Sequence, residues 1–200
     1  MKRFSQNITF LFLIGILSLS SSCNKDDASP TDYGIFSSRD ANTALMNGTI
    51  GSNTPQHWDN FVAAFPDVNT LIMGNCPGSE NDEANLVASR KMRTQNITIH
   101  LPSDAVIASG AVDMYLAGTT RTRESGSKIG VHSWSDGNND ATAFEVGHAN
   151  HQPYIEYYKE MGFSQADAEA FYYFTINAAP ANDVHWMTDA EIEQYKLLTP

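Results

Sequence analysis

Between residues 43 and 132 the apolar positions of this chain change period several times, and each change marks an element. Residues 43–51 (TALMNGTIG) suit a strand and its exit turn. Thr54 and Pro55 then supply an N-cap and a first-turn proline, after which Trp58, Phe61, Val62 and Phe65 fall at i, i+3, i+4 and i+7. That spacing predicts an amphipathic helix laid on a core. Residues 68–73 (VNTLIM) read as a buried strand, and residues 74–78 (GNCPG) as the loop behind it.

A second helix is predicted from Ser79. Glu80, Asp82 and Glu83 crowd its first turn and Arg90, Lys91 and Arg93 its last, so each sign matches the helix dipole. A strand follows at residues 97–101, then a helix over residues 109–116 that is apolar on most of its faces and therefore buried, then a strand at residues 128–132. The C-terminal third reads as helical, with Ser164 and Asp167, and Thr188 and Glu191, as two capping-box-like starts. Strands alternating with helices imply βαβ units: an α/β protein with a mostly parallel sheet, whose chemistry belongs at the C-terminal ends of its strands.

The first residues belong to a different physical regime. Lys2 and Arg3 precede an apolar run at residues 8–19, and three serines lead from it to Cys23. This pattern resembles a bacterial lipoprotein signal, with Cys23 as the lipidated residue, although Ser20 stands where the lipobox usually has leucine. An uncleaved membrane anchor is the competing reading, disfavoured by the shortness of the run. The expected organisation is a signal peptide over residues 1–22, a lipidated cysteine and polar tether over 23–35, and one catalytic domain over 36–200. Such a chain would hang by its lipid from a membrane of the bacterial envelope, facing the periplasm or the cell surface.

Cleavage would leave Cys76 without an intramolecular partner, so no disulfide framework is available. It would also take the formal net charge from −11 to −13, since Lys2 and Arg3 are the only charged residues ahead of Cys23. An acidic surface repels phosphate backbones, which argues against nucleic acid as a partner.

The candidate chemistry centres on Ser109. A serine at the head of a buried helix stands beside unsatisfied backbone N–H groups, although most serines there act only as caps. His132 lies at the predicted end of one strand and Gly78 in a tight turn at the end of another. A hydroxyl, an imidazole and backbone donors converging on one sheet edge are the components of acyl transfer.

The ordered set "GNCPGSENDEANLVASRKMR", "ASGAVDMYLAG" and "GVHSW" resembles the proteolytic subunit of Clp protease and its signal-peptide-peptidase relatives. The similarity runs from about Thr43 to Leu198 and includes "MTDAEIEQYKL" near the end. It implies the Clp/crotonase spiral of ββα units, a serine peptidase activity on peptide or protein substrates, and assembly into homo-oligomeric rings. It further implies Ser109 as nucleophile, His132 as general base, and the amides of Gly78 and Gly110 as the oxyanion hole. Two departures stand out. The family's second turn glycine is replaced by Ser79, and its catalytic aspartate has no clean counterpart, with Asp183 the best carboxylate and Asn177 or Asn182 the amides that could orient the histidine instead.

Other residues compete for attention. Asp113 lies four residues after Ser109 and, as a carboxylate in an apolar helix, is expected to pair with Arg121 or Arg123. Glu145, His148 and His151 have a spacing at which metal ligands can share a face, but the segment contains glycine and proline and reads better as a solvated or lid segment. The aromatic run from Tyr154 to Phe174 is consistent with a groove, a core or an assembly face. Cys76 reads as a packing residue. Neither a cofactor nor a metal is called for, and a catalytically inactive scaffold that binds a peptide or an envelope protein is the alternative to the hydrolase. Crotonase-type acyl-thioester chemistry is a third reading, opposed by the extracytoplasmic address.

Overall fold

The computed structural model describes residues 32–199. The predicted signal peptide, Cys23 and most of the tether lie outside the described residues. The packed chain reaches back to Tyr33, whose ring meets Phe61 and Phe65 edge-on.

Two sheets form where the apolar pattern predicts one. The larger is ordered β1 (Phe36–Ser38), β2 (Thr43–Met46), β3 (Thr70–Met73), β5 (Thr98–Leu101) and β7 (Thr120–Arg123). Its β1–β2 pair is antiparallel and the remaining pairs are parallel. The smaller sheet is ordered β4 (Asn75–Cys76), β6 (Val106–Ala108), β8 (Lys128–Val131) and β9 (His185–Trp186), with only the last pair antiparallel. The chain thus advances in repeated ββα steps. β3 and β4 lead to helix α2 (Asp82–Thr94), and β5 and β6 lead to α3 (Gly110–Leu116). β7 and β8 make the next pair, the first strand of each step joining the larger sheet and the second the smaller. This is the mixed α/β, mostly parallel architecture expected from the sequence, divided between two sheets.

Strands β2, β3 and β5 alternate buried and partly exposed residues, the half-buried period of a sheet with one face on the core. Helix α1 (Thr54–Ala64) buries Trp58 and Phe61 against that core, with Phe36 packed edge-on to Trp58. Its N-cap is Asn53, one residue before the predicted Thr54, whose hydroxyl instead accepts from the Gly51 amide. Helix α2 likewise starts later than predicted: Asn81 caps it by accepting from the Ala84 amide, which leaves Ser79 in extended backbone bridged to Ile50. The C-terminal third is helical as expected, with α4 (Gln152–Glu160), α5 (Gln165–Ala178) and α6 (Asp189–Gln194). The capping box at Thr188 and Glu191 is complete, and Ser164 accepts from the Asp167 amide. Among the described residues no helix is long and apolar enough to cross a membrane.

Candidate active site

The three sequence-predicted parts of the site follow three neighbouring strands of the smaller sheet. Gly78 comes two residues after β4, Ser109 directly after β6, and His132 directly after β8. Parallel strands end on the same edge, so the sheet itself gathers residues separated by dozens of positions in sequence.

Ser109 sits at φ +55°, ψ −135°, a conformation L-residues rarely adopt, between the last residue of β6 and the first turn of α3. It is held there by its amide, which donates to the Gly130 carbonyl of β8, and by its carbonyl, which accepts from Val112. Its side chain makes no cap hydrogen bond. The hydroxyl is therefore not consumed in capping the helix it precedes, which separates Ser109 from an ordinary N-cap serine.

Gly78 is required by proximity. It has φ +137°, and a β-carbon there would lie 2.7 Å from the β-carbon of Ser109. Gly110 is constrained too, because a β-carbon on it would lie 2.3 Å from the Ser79 hydroxyl oxygen and 2.8 Å from Asn85 Nδ2. Asn85 is buried and donates to the Gly110 carbonyl at 2.8 Å, tying α2 to the start of α3.

Backbone donors surround the serine, and peptide planarity assigns their directions. The Gly78 carbonyl accepts from Ile50 at 2.9 Å, so the N–H of the same peptide unit, which belongs to Ser79, points to the opposite side of the strand. That side is occupied by β6 and Ser109. Neither the Ser79 nor the Gly110 amide has an acceptor among the described residues. The Gly78 amide is likewise without an acceptor among the described residues, so the turn offers two neighbouring donors, with Gly78 making the close approach.

His132 Nδ1 lies 2.7 Å from the Ser133 carbonyl oxygen. A carbonyl only accepts, so Nδ1 carries the proton and Nε2 is left with its lone pair free to act as a base. The residues expected to orient this ring are elsewhere. The Asp183 carboxylate is exposed and accepts from the Val184 amide, Asn177 is exposed and donates to the Tyr173 carbonyl, and Asn182 is exposed. None of the three is hydrogen-bonded to His132: Asn177 is on an exposed face of α5, and the turn after α5 leaves Asn182 and Asp183 exposed while Ser133 donates to the Ala179 carbonyl at its start. Ser109 and His132 line one cavity, and no hydrogen bond joins them in this arrangement.

That cavity is enclosed by residues of helices α2 to α5 and by the end of β8. Its polar lining includes two carboxylates the sequence did not bring together, Asp82 from α2 and Asp113 from α3. Tyr154 donates to Asp82 at 2.7 Å and Ser79 donates to its other oxygen; Tyr158 donates to Asp113 at 2.8 Å. The expected pairing of Asp113 with an arginine does not form. Arg121 is turned to the Leu197, Leu116 and Gly118 carbonyls, and Arg123 to Asp189 and Ser127. Burial, reinforced by the charge of Asp82, pushes the Asp113 carboxyl up to about 7 against the pull of the Tyr158 hydrogen bond. Burial likewise raises the Tyr154 and Tyr158 phenols, which stay protonated donors.

Residues read as competitors have structural positions. Cys76 is buried and its thiol is pushed up to about 12 by burial, so it does not offer a thiolate. His151 is buried rather than solvated, with Nδ1 2.7 Å from the Tyr172 hydroxyl, while His148 accepts from the Asn150 amide. No group of three or more potential metal ligands occurs among the described residues.

No protein-family model matches this chain, and no curated protein sequence matches it. Solved structures do. A complex of the membrane-bound stomatin-specific protease 1510-N, a lysine-to-alanine mutant holding a substrate peptide, superposes with a TM-score of 0.50 at 18% identity, over 77% of this chain and 71% of that one. A serine-to-alanine mutant of the same protease gives 0.50 at 17% identity, over 77% and 75%. ClpP1 from Listeria monocytogenes gives 0.54 at 15% identity, over 79% and 89%. At such identities the likeness establishes the fold, which is that of the Clp-type proteases.

Proposed function

We propose that this chain is a serine peptidase acting through Ser109 and His132, tethered by a lipid on Cys23 outside the cytoplasm of a bacterium. The observation that carries the reading is the strained, uncapped Ser109 between a parallel strand and a buried helix, on one cavity with an imidazole whose Nε2 is free. In the reaction His132 Nε2 takes the hydroxyl proton as Ser109 attacks a peptide carbonyl, and the Ser79 and Gly110 amides receive the developing oxyanion. Each such donor is worth about 3 kcal/mol in the transition state. Gly78 contributes by having no side chain. The imidazolium then hands its proton to the departing amine, and water repeats the sequence on the acyl-enzyme. The Ser133 carbonyl holds the ring in the required tautomer, in the place a carboxylate fills in other triads. Several copies assembled into a ring would enclose such a site, in line with the sequence resemblance.

A second reading has its own support. The absence of a Ser109–His132 hydrogen bond, together with a backbone carbonyl in place of a carboxylate, fits a scaffold that binds peptides without cutting them. The two are separated by reacting the domain from residue 24 onward with a fluorophosphonate probe. Labelling that disappears in both Ser109→Ala and His132→Ala establishes an activated serine; an unlabelled protein with an intact circular-dichroism spectrum establishes the scaffold.

A further inference from the structure

The cavity beside Ser109 combines features that belong together chemically. Asp113 is nine-tenths buried, and only one of its oxygens is met by a protein donor, the Tyr158 hydroxyl. Its second oxygen has no partner among the described residues, and the side chain lines the cavity. Asp82 lines it as well. No cationic side chain lies within ion-pair distance of either carboxylate among the described residues, although Arg90 and Arg121 belong to neighbouring parts of the same core. A buried carboxylate without a counter-ion is costly, and such groups in a cleft cluster at functional sites. The walls are aromatic: Trp134 stacks on Tyr154 at 6.2 Å, and Tyr154 on Tyr172 at 5.8 Å. Such walls accept methylene groups and attract cations.

We propose that this cavity is a specificity pocket for a primary ammonium group, the lysine side chain of the residue whose carbonyl Ser109 attacks. Asp113 and Asp82 provide the anionic floor. The position follows from the first turn of α3: Asp113 stands there directly behind Ser109 and both line the cavity, so a side chain entering beside the attacked carbonyl reaches the carboxylates with its end. The choice of cation follows from the acceptors: Tyr158 holds one Asp113 oxygen and Tyr154 and Ser79 hold both of Asp82, which leaves a single open oxygen for an ammonium and no parallel pair for the planar fork of a guanidinium. An ammonium has three donors, enough to satisfy the open oxygen of Asp113 and to reach Asp82. A bound cation favours the carboxylate form of Asp113 against the burial and acidic neighbour that push its pKa up.

This inference rests on the peptidase reading for its biological meaning but not for its test. The first arm measures thermal stabilisation of the Ser109→Ala protein by n-butylamine, the lysine side chain without its backbone, against n-butanol and sodium chloride. Saturable stabilisation by the amine alone, lost in Ser109→Ala/Asp113→Asn and weakened in Ser109→Ala/Asp82→Asn, is expected. The second arm compares hydrolysis of peptides differing only at the attacked residue, lysine against norleucine. The lysine peptide is expected to lead by at least about tenfold in kcat/KM, and that ratio is expected to collapse in Asp113→Asn. Amine binding without fluorophosphonate labelling or hydrolysis overturns the peptidase reading and leaves the pocket standing. Labelling with no amine binding and no lysine preference overturns the pocket and leaves the peptidase. A preference for arginine over lysine overturns the assignment of an ammonium site.

Discussion

A β-carbon placed on Gly78 would lie 2.7 Å from the β-carbon of Ser109, closer than two such carbons approach in folded proteins. The turn after β4 and the turn after β6 are therefore fitted to each other, and the serine cannot keep its position if the glycine gains a side chain. Gly78→Ala combines this clash with a left-handed φ of +137°. A loss of about 2–4 kcal/mol in urea denaturation is expected, with fluorophosphonate labelling abolished. A variant as stable as the parent and still labelled would show that the turn can yield without moving Ser109.

Ser109 itself carries backbone strain, at φ +55° and ψ −135°. Ser109→Gly should release about 1–2 kcal/mol of that strain as the glycine adopts the conformation freely, and Ser109→Ala should not. Both variants lose the nucleophile. A rise in denaturation midpoint for glycine over alanine is the measurement; equal midpoints would mean that the neighbouring β6–β8 hydrogen bonds impose no cost there.

The pH dependence of stability should carry the signature of Asp113. Its carboxyl ionises near 3.8 in an open chain and is pushed up to about 7 in the fold by burial, with Asp82 adding to the shift and Tyr158 opposing it. Between those values the folded state holds the proton more tightly than the unfolded state, so this group's contribution to stability falls as pH rises from about 4 to about 7 and is level above. Asp113→Asn keeps an acceptor for Tyr158 and removes the charge. It is expected to stabilise the protein at pH 8 by up to about 4 kcal/mol and to have little effect near pH 4, as read from urea curves at the two pH values. A uniform shift at both would assign the effect to packing rather than ionisation.

Among the described residues no hydrogen bond joins Asp183, Asn177 or Asn182 to His132. Alanine at each should leave the fluorophosphonate labelling rate within about twofold of the parent, as for exposed positions generally. A selective loss at one of them would mark it as the group that turns to His132 during the reaction and would replace the Ser133 carbonyl in that role.

The sequence by itself determined the local physics. The i, i+3, i+4, i+7 pattern from Trp58, the acidic start and basic end of α2, the mostly apolar α3 and the capping box at Thr188 are written in neighbouring residues, and the helices formed where those signals lie. Ser109, His132 and the glycine turn were legible as candidates because each sits at a boundary between elements. Strands β4 and β6, two and three residues long, were not legible, since a period of two needs more residues than that to show itself. Their pairing made the second sheet, and the second sheet made the site. Which amide faces Ser109 depended on Ile50, and which group orients His132 depended on the turn after α5. That Asp82 and Asp113 share a cavity while Arg121 turns to backbone carbonyls depended on how helices α2 to α5 pack. Distances between residues far apart in the chain are set by closure of the whole fold, and no local pattern carries them.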